Sequence, residues 1–145
     1  YFITVVITKG EDYFKEWYIT ENEDYDPYKA VEEIGNELSL APDVVFNLNL
    51  VLEEAVVNII NYAYPKEEHQ SIYLSATLHE GSIILVLTDT GVEFDPTMAP
   101  EADITLSAEE RPIGGLGIFL IRQIMNEVRY DRIDGKNVLT MEKKL

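Results

Sequence analysis

A segment of nineteen residues, Phe46 to Tyr64, is apolar on almost every side of the helix that it predicts, and no other feature constrains the fold as strongly. Pro42-Asp43 is typical of a helix start, and Pro65 terminates the pattern. A helix that is apolar nearly all round must be buried on most sides, so it needs a sheet beneath it and other helices beside it. The sequence therefore predicts a central helix inside a layered domain.

The flanking segments predict that sheet and the neighbouring helices. The predicted order is strand, strand, helix, helix, strand, strand, a long polar segment, helix, strand, strand. The segments are a hairpin over 1–8 and 13–19, helices over 27–38 and 42–64, strands over 71–79 and 82–89, the polar segment 95–114 with one short helical turn, a helix over 116–126, and strands over 127–133 and 137–143. This order predicts an α+β two-layer sandwich in one domain over 1–145, with a mixed, mostly antiparallel sheet and the helices on one face. It lacks the strict alternation of a parallel dinucleotide-binding sheet.

Charge and composition restrict the partners. The chain has 11 basic against 27 acidic residues, a formal charge of -16, and no cysteine. This balance argues against a nucleic-acid groove and an anionic membrane, and a bound polyphosphate would need backbone amides and a divalent cation for charge screening. Because no apolar run reaches the roughly 20 residues of a membrane span, we expect a soluble, cytoplasmic protein.

Three polar residues interrupt the apolar helix. Glu54, Asn58 and Asn61 are spaced by four and seven residues, so they share one helix face. Carboxylate and amide oxygens suit Mg²⁺, and a carboxylate also accepts protons. The alternative is a solvated stripe on an amphipathic helix.

Two further stretches have both a functional and a purely structural interpretation. Asp89-Thr90-Gly91 ends a hydrophobic strand: a buried carboxylate there can accept a hydrogen bond from the amino group of a purine, or the three residues form only a turn. Three glycines within Gly114–Gly117 precede a helix, whose first N–H groups and dipole form an anion site. Alternatively, the glycines form only a turn before a core helix. The segment is not a Walker A loop, because no lysine follows the glycines.

Together and in this order, three motifs resemble the GHKL superfamily of DNA gyrase, heat-shock chaperone, histidine kinase and mismatch-repair ATPases. They are Glu-Ala-Val-Val-Asn (54–58), Asp-Thr-Gly-Val-Glu-Phe-Asp-Pro (89–96) and Gly-Gly-Leu-Gly-Ile (114–118). More closely, they resemble the small bacterial anti-sigma-factor serine/threonine kinases.

The resemblance implies ATP and magnesium as cofactors and a role for each matching residue. Asn58 would coordinate magnesium, Asp89 would bind the adenine amino group beside Gly91, and Glu54 would be the general base. Residues 95–114 would be the ATP lid, with Arg111 contacting the γ-phosphate or pairing with a neighbouring glutamate. The remaining phosphate contacts would come from backbone amides of Gly115, Leu116 and Gly117.

Two departures from the family pattern stand out. Glu93 replaces a glycine that the superfamily often has. Where the last strand often offers a threonine near the adenine-binding aspartate, this chain has Asn137, with Thr140 three residues on, and the sequence leaves open which of them supports the base.

The resemblance also implies partners. The leading hypothesis is an ATP-dependent serine/threonine kinase that sequesters a sigma factor and phosphorylates an anti-anti-sigma partner of the STAS type, with its N-terminal strands as a candidate homodimer interface. The alternative is a nucleotide-binding regulatory module that switches partners without phosphoryl transfer. A sensor histidine kinase is disfavoured, because only His69 and His79 are present, in a loop and on a strand.

Overall fold

A computed structural model describes residues 14–19, 27–64, 71–98 and 115–145 of the chain. Its strands are β1 (Phe14–Ile19), β2 (Ile72–His79), β3 (Ser82–Asp89), β4 (Glu127–Ile133) and β5 (Lys136–Lys144). Its helices are α1 (Pro27–Leu38), α2 (Pro42–Asn58) and α3 (Gly115–Ile124), with a π-helical turn at Ile59–Ala63 and a 3-10 turn at Pro96–Met98.

The five strands form one sheet in the order β1-β2-β3-β5-β4, and every pairing among the described strands is antiparallel. Two tight hairpins, β2–β3 and β4–β5, supply most of this sheet. Their turns, Glu80-Gly81 and Asp134-Gly135, have positive φ at both positions, which a two-residue turn between twisted antiparallel strands requires. The predicted α+β sandwich is confirmed, with a wholly antiparallel described sheet in place of a mixed one.

Helix α2 is the central helix and packs against both α1 and α3. Its inward residues Leu48, Val51, Leu52, Ala55 and Val56 are buried. They pack against alternate residues of the inner strands, among them Leu74, Leu85, Leu87 and Met141, in one hydrophobic cluster. The inward face is buried as the apolar pattern predicted, but Phe46, Val57 and Ile60 are exposed, so burial does not extend to the other sides of the helix. None of the described helices is long and apolar enough to cross a bilayer.

The C-terminal end of the long helix differs from the prediction. Over Ile59–Ala63 the backbone widens into a π-helix, and Tyr64 N–H donates to the Ile59 carbonyl across five residues at 3.1 Å. An even 3.6-residue period cannot predict such a turn, because the turn holds one more residue than the α-helical one. Asn61, predicted to continue the polar stripe, lies exposed in this turn.

The edge strand β1 contributes a buried cation. Lys15 is 5% exposed, and its ammonium lies 3.0 Å from a Glu33 carboxylate oxygen and 2.7 Å from one of Glu37 on α1. These ion pairs tie the edge strand to the helix layer. The first strand of the predicted N-terminal hairpin, and residues 99–114 of the predicted lid, lie outside the described residues.

Candidate functional site

Helix α2 and the start of α3 bring Glu54, Asn58 and Gly117 together. A β-carbon built on Gly117 would lie 2.8 Å from Glu54 Oε2 and 3.4 Å from Asn58 Nδ2. The spacing of four predicted the shared face of Glu54 and Asn58, and the missing side chain at 117 is what allows both to approach α3. None of the described residues donates a hydrogen bond to the Glu54 carboxylate.

The three predicted phosphate-binding residues, Gly115, Leu116 and Gly117, are the first three residues of α3. Backbone N–H groups in the first turn of a helix have no partner within the helix, and the helix dipole adds positive potential there. An anion-binding end of a helix therefore lies next to the Glu54 and Asn58 side chains. Arg111, the other predicted phosphate contact, lies outside the described residues.

Asp89 ends β3 and is 3% exposed. Its Oδ1 accepts two hydrogen bonds, from the Gly91 backbone N–H at 2.9 Å and from Asn137 Nδ2 at 2.8 Å. No described residue donates to Oδ2. Burial raises the pKa of Asp89 above its ordinary value, while these two bonds and the nearby Arg132 guanidinium act in the opposite direction.

Gly91 is required by a backbone contact. A β-carbon at this position would lie 2.4 Å from the Ala63 carbonyl oxygen, which already accepts a hydrogen bond from Val92 N–H at 2.9 Å. The end of the π-helical turn thus packs directly on the strand end, and any side chain at 91 would separate the two. Space for the turn, in addition to any contact with a base, accounts for this glycine.

Asn137, the second residue of β5, lies opposite Asp89 in the register of β3 and β5. Thr140 lies opposite Val86, three positions away. Of the two residues that the sequence left open, Asn137 is therefore the one in contact with Asp89. Tyr130 and Arg132 on β4 also bind Asn137, and sequence reasoning missed both because only the β4–β5 register brings them to the site.

A pocket that is open to solvent lies between α2 and the β3–β5 ends. Its walls are mostly apolar with four polar side chains: Ala55, Ile59, Phe94, Pro96 and Leu139, with Asn58, Asp89, Tyr130 and Asn137. Of the predicted site residues, Asn58 and Asp89 line it, whereas Asn61 does not. The chemistry of this lining, apolar walls around one buried carboxylate, suits a flat heterocycle that bears an amino group.

The segment after β3 is fixed at the rim of this pocket. Phe94 stacks on Tyr62, with ring centroids 4.9 Å apart, and Asp95 Oδ1 accepts hydrogen bonds from the backbone and hydroxyl of Thr97. The Thr97 carbonyl in turn accepts a bond of 2.6 Å from Arg122 on α3. The predicted short helical turn within 95–114 is confirmed at Pro96–Met98.

The donor set fits magnesium shared with a nucleotide. Within the described ranges no group of three or more acidic or histidine side chains lies together. Mg²⁺ usually takes one or two protein oxygens and completes its shell with phosphates and water. The Asn58 amide and the Glu54 carboxylate, both close to the anion-binding end of α3, supply hard oxygens of this kind.

Comparisons with known proteins agree with this geometry. A sequence profile described as a histidine kinase-like ATPase domain matches residues 28–143, a range that includes every residue lining the pocket. The serine/threonine-protein kinase BtrW of Bordetella bronchiseptica is 32% identical over 96 residues, which cover 66% of this chain and 68% of that protein. The serine-protein kinases RsbW of Bacillus cereus and Bacillus anthracis are each 29% identical over 110 residues, covering 73% of this chain and 68% of theirs.

Proposed function

Because this chain belongs to the family of histidine kinase-like ATPase domains, we propose that it is an ATP-dependent serine/threonine protein kinase that acts as an anti-sigma factor. The observation that carries the proposal is the approach of Glu54 and Asn58 to Gly117 at the start of α3. A β-carbon on Gly117 would lie only 2.8 Å from the Glu54 carboxylate and 3.4 Å from the Asn58 amide. A carboxylate, a metal-binding amide and a phosphate-binding helix end are the groups that phosphoryl transfer needs at one place.

The adenine base would occupy the pocket beside Asp89. Its exocyclic amino group donates to Asp89 Oδ2, which receives no hydrogen bond from the described residues. The ring packs between apolar side chains that include Ala55 and Leu139. Gly91 holds Asp89 in position through its N–H and admits the end of the π-helical turn.

The phosphates would extend towards α3. Backbone N–H groups of Gly115, Leu116 and Gly117 donate to phosphate oxygens, and Arg111 approaches the γ-phosphate. Asn58 would hold magnesium together with the phosphates, and the metal would supply charge neutralisation in a chain whose formal charge is -16. Few basic side chains are available for that task, so the backbone and the metal carry it.

Glu54 would orient the acceptor hydroxyl. As the bond between the γ-phosphorus and the bridging oxygen of ADP breaks, the serine or threonine oxygen forms the new bond to phosphorus, and its proton passes to the Glu54 carboxylate. The transition state of such a transfer is loose, so the base chiefly positions the nucleophile and takes the proton late.

The relatives named as serine- or serine/threonine-protein kinases support this choice of acceptor. By the same similarity, we propose that the acceptor is an anti-anti-sigma protein of the STAS type, that the second partner is a sigma factor, and that the chain acts in the cytoplasm as a homodimer.

Two measurements test the proposal. Calorimetry with ATP should show binding that is tighter in the presence of magnesium. Asn58→Ala should remove the part of the affinity that depends on magnesium, and Asp89→Asn should abolish binding. Incubation of a purified STAS-domain protein of the same organism with γ-labelled ATP should label a serine or threonine. Glu54→Gln should abolish labelling while retaining ATP binding, and Glu53→Gln, the adjacent carboxylate on α2, is the matched control that should retain both.

Absence of ATP binding in the wild type would reject the nucleotide site. If the wild type and Glu54→Gln both bind nucleotide and neither labels the acceptor, the result would favour the alternative function, a regulatory module that exchanges partners without phosphoryl transfer.

A further inference from the structure

The side-chain amide of Asn137 is fully used by the protein. Its Oδ1 accepts from the Tyr130 hydroxyl at 2.5 Å, from Arg132 Nη1 at 2.9 Å and from the Phe94 N–H at 3.2 Å. Its Nδ2 donates to Asp89 Oδ1 and to the Val92 carbonyl, both at 2.8 Å. An amide has two donors and two acceptor lone pairs, so no donor is left for a ligand.

This arrangement fixes which way the amide points. Turning it over would place the NH₂ group against the N–H donors of Arg132 and Phe94 and the oxygen against the Asp89 carboxylate. Both contacts would then be repulsive, and buried polar atoms without partners cost about 1–3 kcal/mol each. Asn137 is 4% exposed, so water does not replace the lost bonds. The Asn137 amide therefore always presents a donor to Asp89.

The consequence falls on Asp89. With Oδ1 taken by Asn137 and Gly91, only Oδ2 remains for a base, and the carboxylate plane is held by two bonds of 2.8 and 2.9 Å. A carboxylate oxygen only accepts hydrogen bonds. It therefore favours a purine with an amino group at position 6, as in adenine, over one with a carbonyl oxygen there, as in hypoxanthine and guanine.

We propose that Asn137, held by Tyr130 and Arg132, is a positioning residue that sets the choice of a 6-amino over a 6-oxo purine by keeping Asp89 an acceptor. This inference rests on the proposed nucleotide site and adds to it three residues that act through Asp89.

Charges around Asp89 support this role. Burial raises the pKa of Asp89, and the Asn137 bond, the Gly91 bond and Arg132 oppose that rise. Burial and the Glu93 carboxylate raise the pKa of Tyr130, Arg132 opposes that rise, and Asp95 and Asp89 add smaller contributions that raise it. The Tyr130 hydroxyl therefore keeps its proton. Removing the Asn137 amide takes away one of the groups that keep Asp89 ionised. A protonated carboxyl can donate to a 6-oxo group, which erodes the discrimination.

The test compares ADP with IDP by calorimetry between pH 5.5 and 8. The two bases differ in the group at position 6 and in the proton that N1 carries in hypoxanthine. The wild type should bind ADP about 100-fold more tightly, because a site built to bond one group leaves its own polar atoms unpaired with the other. In Asn137→Leu the ratio of the two dissociation constants should fall at least tenfold and become smaller as the pH falls. Arg132→Gln, an exposed change, should lower the ratio less.

Two matched variants serve as controls. Arg129→Gln alters another exposed arginine of β4, which pairs with Asp131 at 3.1 Å, and Thr140→Val alters the other polar candidate on β5. Both should keep the wild-type ratio.

An Asn137→Leu protein that folds and loses affinity for ADP and IDP equally, with the ratio unchanged, would overturn the inference, since a purely structural residue behaves in that way. If Asn137→Leu does not fold, the same comparison is made with the Tyr130→Phe/Arg132→Gln double variant. An unchanged ratio of the ADP and IDP dissociation constants in that protein would again overturn the inference. A wild type that binds neither nucleotide overturns the proposed function as well, whereas strong ADP binding without discrimination overturns only the inference.

Discussion

Replacing Gly117 with alanine should leave the protein folded but disable its phosphate site. The new methyl group would lie 2.8 Å from Glu54 Oε2, closer than a non-bonded carbon and oxygen approach. To restore a contact near the van der Waals minimum, the carboxylate must retreat by about 0.5–1 Å. The nearest Asn58 atom, at 3.4 Å, must yield by less. Both atoms belong to side chains, so the backbone need not move.

The effects on stability and on activity should therefore separate. Alanine is favoured over glycine within a helix by up to about 1 kcal/mol, which offsets the cost of moving one partly exposed glutamate. We expect the free energy of unfolding to change by less than about 1 kcal/mol. A displacement of about 1 Å at a reacting group can cost about 100-fold in rate, so phosphoryl transfer should fall about 10- to 100-fold. The affinity for magnesium-ATP should fall by up to about tenfold, or about 1.4 kcal/mol.

Denaturant unfolding, calorimetry with magnesium-ATP and labelling of the acceptor measure these three quantities. Gly35→Ala is the matched control, because its β-carbon would meet Val45 Cγ2 at 2.7 Å in the α1–α2 contact, away from the pocket. That change should cost about 1–3 kcal/mol of stability by overpacking and leave affinity unchanged. If Gly117→Ala retained wild-type affinity and rate, or if Gly35→Ala lost them to the same degree, the placement of the phosphates beside Glu54 and Asn58 would be wrong.

Three further variants test other parts of the structure. Gly91→Ala should cost about 1–3 kcal/mol or more in denaturant unfolding, because the Ala63 carbonyl, 2.4 Å from the new carbon, is backbone and cannot turn aside. Asp89→Asn should abolish adenine binding yet stabilise the nucleotide-free protein at pH 7. Burial raises the pKa of Asp89 above 3.8, so the stability that its protonated carboxyl contributes is complete below pH 3.8 and is lost as the pH rises through the folded-state pKa. Thermal melts of the wild type and of Asp89→Asn from pH 3 to 7 should show that the stability advantage of the variant disappears in acid. Burial lowers the pKa of Lys15, but two glutamates of α1 outweigh burial and raise the pKa above 10.5. Lys15→Met should therefore lower the free energy of unfolding by about 1–3 kcal/mol below pH 10.5, and by progressively less as the pH rises further.

Local patterns predicted most of the fold. The two hairpins with their Gly81 and Gly135 turns, and α1, begin and end within a residue or two of their predicted bounds, and the apolar helix begins at its predicted residue. Each of these bounds is set by periodicity and by residues adjacent in sequence. The meeting of Glu54 with Asn58 followed from helix spacing. Their approach to the start of α3 was implied only by the family resemblance.

What the sequence did not predict depends on register or on local departures from ideal geometry. Tyr130 and Arg132 reach Asn137 because β4 pairs with β5 in one register among several that the alternation allows. Asn61 lies exposed within the π-helical turn Ile59–Ala63, and no propensity indicates such a turn. Lys15, a charged residue, is buried only because α1 places two carboxylates above it.

The division of the site between two hairpins has a consequence for folding kinetics. Asp89 belongs to β2–β3 and Asn137 to β4–β5, and 48 residues separate them along the chain. Each hairpin can form locally in about 1–10 μs, whereas their joining is a non-local event that comes later and more slowly. A nucleotide recognises only the joined state and has little to bind before the barrier is crossed. Added nucleotide is therefore expected to slow unfolding while leaving the rate of refolding nearly unchanged.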